Sequence, residues 1–108
     1  MTRRIMFVVL SVVFVASSGG TEDFTIFQRN KGLSMSQIDI HVGDQITFVN
    51  EDDVSHSLYA ETPGSDFETL QRPGQPFTRR FLQPGVVIVR CAIHPGMKLT
   101  VRVRKKEP

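Results

Sequence analysis

Residues 38–49 read IDIHVGDQITFV, and this stretch indicates the fold class. Apolar and polar residues alternate over 38–42, a Gly-Asp pair interrupts the pattern, and the alternation resumes over 45–49. Successive side chains of a strand point to opposite faces, so each half places its apolar residues on one face. The pattern predicts two strands joined as a hairpin at Gly43-Asp44. The residues expected to face one core are Ile38, Ile40, Val42, Ile46 and Phe48.

Further strand-like segments follow, separated by turns at intervals of about ten residues. They lie at 24–27, 54–59, 77–81, 86–90 and 99–104. The run at 86–90 is so rich in β-branched residues that we expect it to be buried on both faces. Residues 61–75 contain two Pro-Gly pairs and predict a loop. The chain is therefore predicted to be all-β, as an antiparallel β-sandwich.

The N-terminal residues 1–20 have the pattern of a secretory signal peptide. Basic residues at Arg3-Arg4 precede an apolar run at 5–15, and small residues follow at 16–20. A membrane-spanning helix needs roughly 17 or more apolar residues, and this run is shorter. We therefore expect cleavage after Ser18 or Gly20 and an exported, periplasmic protein whose single domain occupies residues 21–108.

Charged residues are segregated along the chain. Residues 51–71 carry only acidic charges, and residues 72–106 carry only basic ones. The formal net charge of +2 includes the basic residues of the signal segment, so the charge does not favour a nucleic acid as partner. The acidic stretch is either a solvated surface or a region that orients the protein on a basic partner.

Cys91 is the only cysteine in the chain. An exported domain of this size usually depends on disulfides, so a lone thiol is intermolecular, buried and inert, or bound to a metal. The residues that follow, AIHPGM at 92–97, add an imidazole at His94 and a thioether at Met97. A further imidazole, His56, lies on an upstream strand.

Two histidines and a thiolate, with a long weak bond to methionine, are the ligands of an electron-transfer copper site. We therefore predict that His56, Cys91, His94 and Met97 bind one type 1 copper ion that alternates between Cu(I) and Cu(II). Zinc also binds cysteine and histidine, but zinc sites seldom use methionine. A nucleophilic Cys91 is disfavoured because the thiol lacks a helix start to activate it.

With these residues the chain resembles the cupredoxins, blue copper proteins of the plastocyanin, pseudoazurin and amicyanin kind. Residues 40–50 resemble the paired strands before the first copper histidine, which His56 matches. Residues 84–90 resemble the approach to the copper cysteine. Cys91, His94 and Met97 match the remaining ligands of the family's copper site. The short spacing from His94 to Met97 is most similar to that of amicyanin.

The resemblance implies a Greek-key β-sandwich of the cupredoxin type with copper near one end. It also implies a soluble, monomeric one-electron carrier, not an enzyme, which docks transiently near His94 on larger redox proteins. Copper storage or delivery by the same ligands is the alternative. The chain departs from the family pattern at Ser57, where asparagine is usual, and at Leu99, where glycine is usual; such neighbours tune the reduction potential.

Overall fold

A computed structural model describes residues 20–107, and the predicted signal peptide lies outside the described residues except for Gly20. This part of the chain forms nine strands: β1 (Asp23–Arg29), β2 (Gly32–Leu33), β3 (Gln37–His41), β4 (Gln45–Asn50), β5 (His56–Ala60), β6 (Phe67–Gln71), β7 (Pro76–Arg80), β8 (Gly85–Cys91) and β9 (Lys98–Arg104). A four-stranded sheet has the order β2-β1-β4-β7, and a five-stranded sheet has the order β3-β9-β8-β5-β6. Between residues 20 and 107 no helix is long and apolar enough to cross a bilayer.

The two sheets pack around one apolar core. Ile26 and Phe48 of the four-stranded sheet are fully buried, and so are Leu58, Val89 and Val101 of the five-stranded sheet. Alternate side chains of each strand point inward, so the core consists of every second residue of both sheets. The prediction of an all-β sandwich is confirmed.

The predicted hairpin at 38–49 is wrong. β3 pairs with β9 in the five-stranded sheet, whereas β4 lies between β1 and β7 in the other sheet. Gly43 and Asp44 therefore carry the chain from one sheet to the other. Gly43 adopts a positive φ of 98°, and the buried Asp44 carboxylate accepts hydrogen bonds from the amides of Glu22 and His41 at 2.9 and 2.8 Å.

The hairpin error has a simple physical cause. Ile38, Ile40, Ile46 and Phe48 are all buried, as predicted, and Val42 is half-buried. In a sandwich the inner faces of both sheets contact the same core, so alternation identifies the buried face but not the strand that pairs alongside.

Three further expectations are corrected. The sheets are mixed, because β1 pairs parallel with β4 and β3 pairs parallel with β9. Parallel neighbours need a crossover connection, which the passage of the chain between the sheets supplies. β6 lies inside the predicted loop at 61–75, since the two Pro-Gly pairs flank a strand. β8 is fully buried on one face only: Val87, Val89 and Cys91 are buried, whereas Val86 on the outer face is 53% exposed.

The topology places one end of β5 beside the loop that follows β8. β5 and β8 are antiparallel, with Leu58 opposite Cys91. The start of β5 therefore lies next to the end of β8, and residues 92–97 connect that end to β9. His56, Cys91 and His94 lie in this region.

Candidate metal centre

Backbone pairing holds the cysteine loop against the start of β5. β5 begins at His56 and β8 ends at Cys91. Beyond Cys91, the amide of Ala92 donates a hydrogen bond to the carbonyl oxygen of Ser57 at 2.8 Å. This bond continues the strand pairing into the loop, so a main-chain contact at Ser57 braces the loop where the family usually has asparagine.

The side chains of His56, Cys91 and His94 converge at this end of the sandwich. Their potential ligand atoms all lie within 4.8 Å of one another. The two Nδ1 atoms are 3.1 Å apart, and Cys91 Sγ lies 3.8 Å from Nδ1 of His56 and 3.9 Å from Nδ1 of His94. The point equidistant from these three atoms is about 2.1 Å from each, close to the bond lengths of transition metals to nitrogen and sulfur. The donor set therefore fits a bound metal ion.

The two histidines differ in exposure. His56 is fully buried and Cys91 is 2% exposed, whereas His94 is partly exposed. His94 is therefore the member of the group that connects the centre to the protein surface. Its neighbours in the loop are exposed, and Ile93 is 51% exposed.

Met97, the fourth predicted ligand, lies at the end of the same loop. Its side chain is 1% exposed and belongs to the apolar cluster that includes Cys91 and Leu99. Its amide donates a hydrogen bond to the carbonyl oxygen of His94 at 3.0 Å, which closes the turn between them. Met97 is therefore buried at the end of the loop that carries Cys91 and His94, and its role as fourth ligand stays a prediction.

Asp52 is the functional candidate that sequence reasoning missed. Its Oδ2 lies 2.7 Å from Nε2 of His56, on the side of the ring opposite Nδ1. The amides of Asn30 and Lys31 also donate hydrogen bonds to this carboxylate, at 2.5 and 2.8 Å. Burial alone would raise the pKa of Asp52, but the hydrogen bonds from Lys31, His56 and Asn30 hold that pKa below its ordinary value. The only sequence signal was an acid four residues before a histidine.

A buried polar network lies next to the segment that carries Asp52 and His56. Asn50 is fully buried, and its Nδ2 donates to the carbonyl oxygens of Val54 and Gln71 at 2.9 and 3.0 Å. Its Oδ1 accepts a hydrogen bond from the amide of Asp52 at 2.9 Å. Gln71 is linked in turn to Gln28, whose Nε2 donates to Gln71 Oε1 at 2.9 Å. The Asn50 side chain is therefore held by two carbonyl groups, and through its Oδ1 it holds the backbone of Asp52 in place.

Two of the three acids just before His56 in the sequence are already paired. Glu51 forms an ion pair with Arg29, and Asp52 contacts His56 with its side chain only 9% exposed. Neither carboxylate is free to act as a surface charge, although Asp53 is exposed. The stretch from residue 51 therefore contributes less to steering than its composition suggests.

Comparisons with known proteins agree with this architecture. No protein-family model matches the chain. A methylamine utilization protein, MauL, of Methylorubrum extorquens is 31% identical over 103 residues, covering 90% of each chain. A solved structure of a reduced amicyanin variant aligns with a TM-score of 0.70 at 18% identity, covering 84% of this chain and 87% of that one. A purple cupredoxin from Nitrosopumilus maritimus aligns with a TM-score of 0.65 at 24% identity, covering 74% and 98%.

The solved structures share the sandwich with this chain, which confirms the Greek-key fold of the cupredoxin type. The His-Cys-His group at one end of that sandwich matches the chemistry of a type 1 site, so the cofactor is one copper ion. This chain shares its fold with amicyanin and a purple cupredoxin, carries the His-Cys-His group, and is 31% identical to the relative from Methylorubrum extorquens over 90% of both chains; it therefore belongs to the cupredoxin family.

Proposed function

We propose that this protein is a soluble, periplasmic one-electron carrier whose copper ion is held by His56, Cys91, His94 and Met97. The observation that supports the proposal is the convergence of Cys91 Sγ and two imidazole Nδ1 atoms on one point. His56 of β5 and Cys91 of β8 are both buried there. A copper ion bound there supplies reversible one-electron chemistry between Cu(I) and Cu(II).

The chain's own contribution is a rigid set of ligands. Thiolate and thioether suit Cu(I), while imidazole also suits Cu(II), so this mixture of donors accommodates both oxidation states. His56 and Cys91 are anchored in paired strands, and the Ala92–Ser57 hydrogen bond restrains the loop. Ligands that stay in place when the charge changes require little reorganisation, which speeds electron transfer. Four protein ligands also leave no open position for a substrate, which argues against an enzyme.

We place the entry and exit of electrons at His94. The imidazole is the partly exposed ligand, and the side chain of Ile93 next to it is 51% exposed. A small apolar surface around an exposed ligand suits the weak, transient contacts of redox proteins.

The charge next to this surface is basic. Arg90 and Lys98 lie directly opposite each other on β8 and β9, and both are exposed. Neither takes part in an ion pair among residues 20–107. Like charges placed directly opposite each other destabilise a sheet, so this pair costs stability in the isolated protein. We therefore propose that the protein docks on an acidic partner. The acidic residues 51–71 had instead suggested a basic partner.

The partner is a larger redox protein. The relative from Methylorubrum extorquens is named for methylamine utilization, and oxidation of an amine requires an electron acceptor. We extend to this chain a role in such metabolism, in which it carries electrons between larger redox proteins.

The test is spectroscopic and electrochemical. The mature protein loaded with Cu(II) should show an intense visible band from thiolate-to-copper charge transfer, together with a reversible one-electron wave in voltammetry. Cys91→Ser should abolish the band, because the thiolate is the donor of that transition. Ser57→Ala is the control, since only the main chain of Ser57 takes part in bracing the loop.

Two outcomes would contradict the proposal. A colourless protein that binds zinc tightly and ignores copper would remove the copper assignment. A coloured protein that transfers its copper to a chelating acceptor within seconds, and gives no reversible wave, would support copper delivery instead of electron transfer.

A further inference from the structure

We propose that Asp52 is a positioning residue of the metal centre, whose carboxylate fixes the His56 ring with Nδ1 facing Cys91 and His94 and favours Cu(II) over Cu(I). The inference deepens the proposed function and rests on it, because it takes His56 as a copper ligand. Its basis is the 2.7 Å contact between Asp52 Oδ2 and His56 Nε2.

The contact determines which nitrogen of His56 carries the proton. An ionised carboxylate only accepts hydrogen bonds, so Nε2 of His56 must donate to Asp52. A neutral imidazole has a single N–H, and Nδ1 is then left with a free lone pair. That lone pair lies on the side of Cys91 and His94, at 3.8 and 3.1 Å. Asp52 thus prepares His56 to bind metal through Nδ1.

Asp52 can hold the ring because its own carboxylate is held. The turn between β1 and β2 has positive φ angles of 52° at Asn30 and 57° at Lys31. In that conformation the amides of both residues point at the Asp52 carboxylate and donate to it. On the other side, the amide of Asp52 donates to Asn50. The carboxylate is therefore fixed by a turn distant in sequence, and the backbone of Asp52 by the neighbouring Asn50, which is the support that a precise site requires.

The charge of Asp52 has a consequence for redox balance. Its side chain is 9% exposed and His56 is fully buried, so solvent screens the carboxylate only partly. A carboxylate bonded to a ligating imidazole makes that imidazole a stronger donor. Cu(II) carries the larger charge and gains more from both effects than Cu(I). Removal of the Asp52 charge should therefore raise the reduction potential.

The experiment compares Asp52→Asn with Asp53→Asn. Asp53 is the neighbouring acid and is exposed, so its variant removes the same charge without touching His56. For Asp52→Asn we expect the Cu(II) affinity to fall about ten- to a hundred-fold, the usual effect of losing such a partner. Each tenfold loss of affinity for Cu(II), relative to the affinity for Cu(I), raises the reduction potential by about 59 mV. Asp52→Glu, which keeps the charge, should recover part of the shift, whereas Asp53→Asn should leave both quantities nearly unchanged.

A second measurement needs neither copper nor a variant. NMR of the ring nitrogens in the metal-free wild-type protein should show His56 protonated at Nε2. The Nδ1-protonated form in the wild type would overturn the inference, and so would equal potentials in the Asp52→Asn and Asp53→Asn proteins. If the wild-type protein bound no copper, the proposed function would fail, but the nitrogen spectrum would still decide whether Asp52 positions His56.

Discussion

Replacing Asn50 with alanine tests how strongly the buried polar network stabilises the corner that carries Asp52 and His56. The Asn50 side chain is fully buried and makes three hydrogen bonds. The substitution leaves the carbonyl oxygens of Val54 and Gln71 and the amide of Asp52 without these partners. A buried polar group that loses its partner costs about 1–3 kcal/mol.

The three losses are not equal. The hydrogen bond to Gln71 is buried, whereas those at Val54 and at the Asp52 amide are only partly buried, so water replaces part of the lost bonding at those two groups. We therefore expect the free energy of unfolding to fall by about 3 kcal/mol in total, near the lower end of the sum. For a domain of this size, such a loss lowers the melting temperature by roughly 12–24 °C.

The assay is urea unfolding of the metal-free protein, followed by circular dichroism because the chain contains no tryptophan. Asp53→Ala is the matched control in the same corner, and an exposed side chain of this kind should change the stability by less than about 0.5 kcal/mol. A loss below about 1 kcal/mol for Asn50→Ala would refute the reasoning, because it would mean that water or rearranged neighbours satisfy all three groups.

Two further predictions concern the copper loop. Met97→Leu should retain copper and the intense colour while raising the reduction potential, because a weak axial ligand tunes the potential more than it decides occupancy; Met35→Leu, at an exposed methionine, is the control for both voltammetry and metal analysis. Complete loss of copper from the Met97 variant would show that Met97 is a primary ligand. Oxidation of the reduced protein by the anion ferricyanide should slow as salt is added. Arg90→Gln should weaken this salt dependence more than the control Arg102→Gln does, because Arg102 lies farther along the sheet from the loop. Equal salt dependence in the two arginine variants would show that Arg90 and Lys98 do not steer the partner.

The sequence was sufficient for features that depend on neighbours along the chain. Alternation over 38–42 and 45–49 identified two strands and their buried faces, because the side-chain direction in a strand is a local property. Cys91, His94 and Met97 lie within one short loop, so chain connectivity already limits how far apart they can be. These residues made a metal site predictable before any fold was known.

The pairing of the strands was not available from the same pattern. β3 and β4 follow each other closely, yet they belong to different sheets, and each has a parallel neighbour. A strand presents the same alternation whichever strand lies beside it, so hydrogen-bonding partners depend on contacts between distant segments. The expectation that β8 is buried on both faces failed for a related reason. A run of β-branched residues favours a strand but does not report whether further layers cover both of its faces.

The sequence by itself determined that this is a β-sandwich with a thiolate, imidazole and thioether loop. The resemblance had already matched His56 to the first copper histidine, and the tertiary structure shows what brings it to that loop, the antiparallel pairing of Leu58 with Cys91. The tertiary structure also decided the role of Asp52. An acid in a run of acids has the same sequence signature whether it faces water or a buried ring. The difference arises because the turn at Asn30 and Lys31, distant in sequence, packs against this carboxylate and directs it to His56.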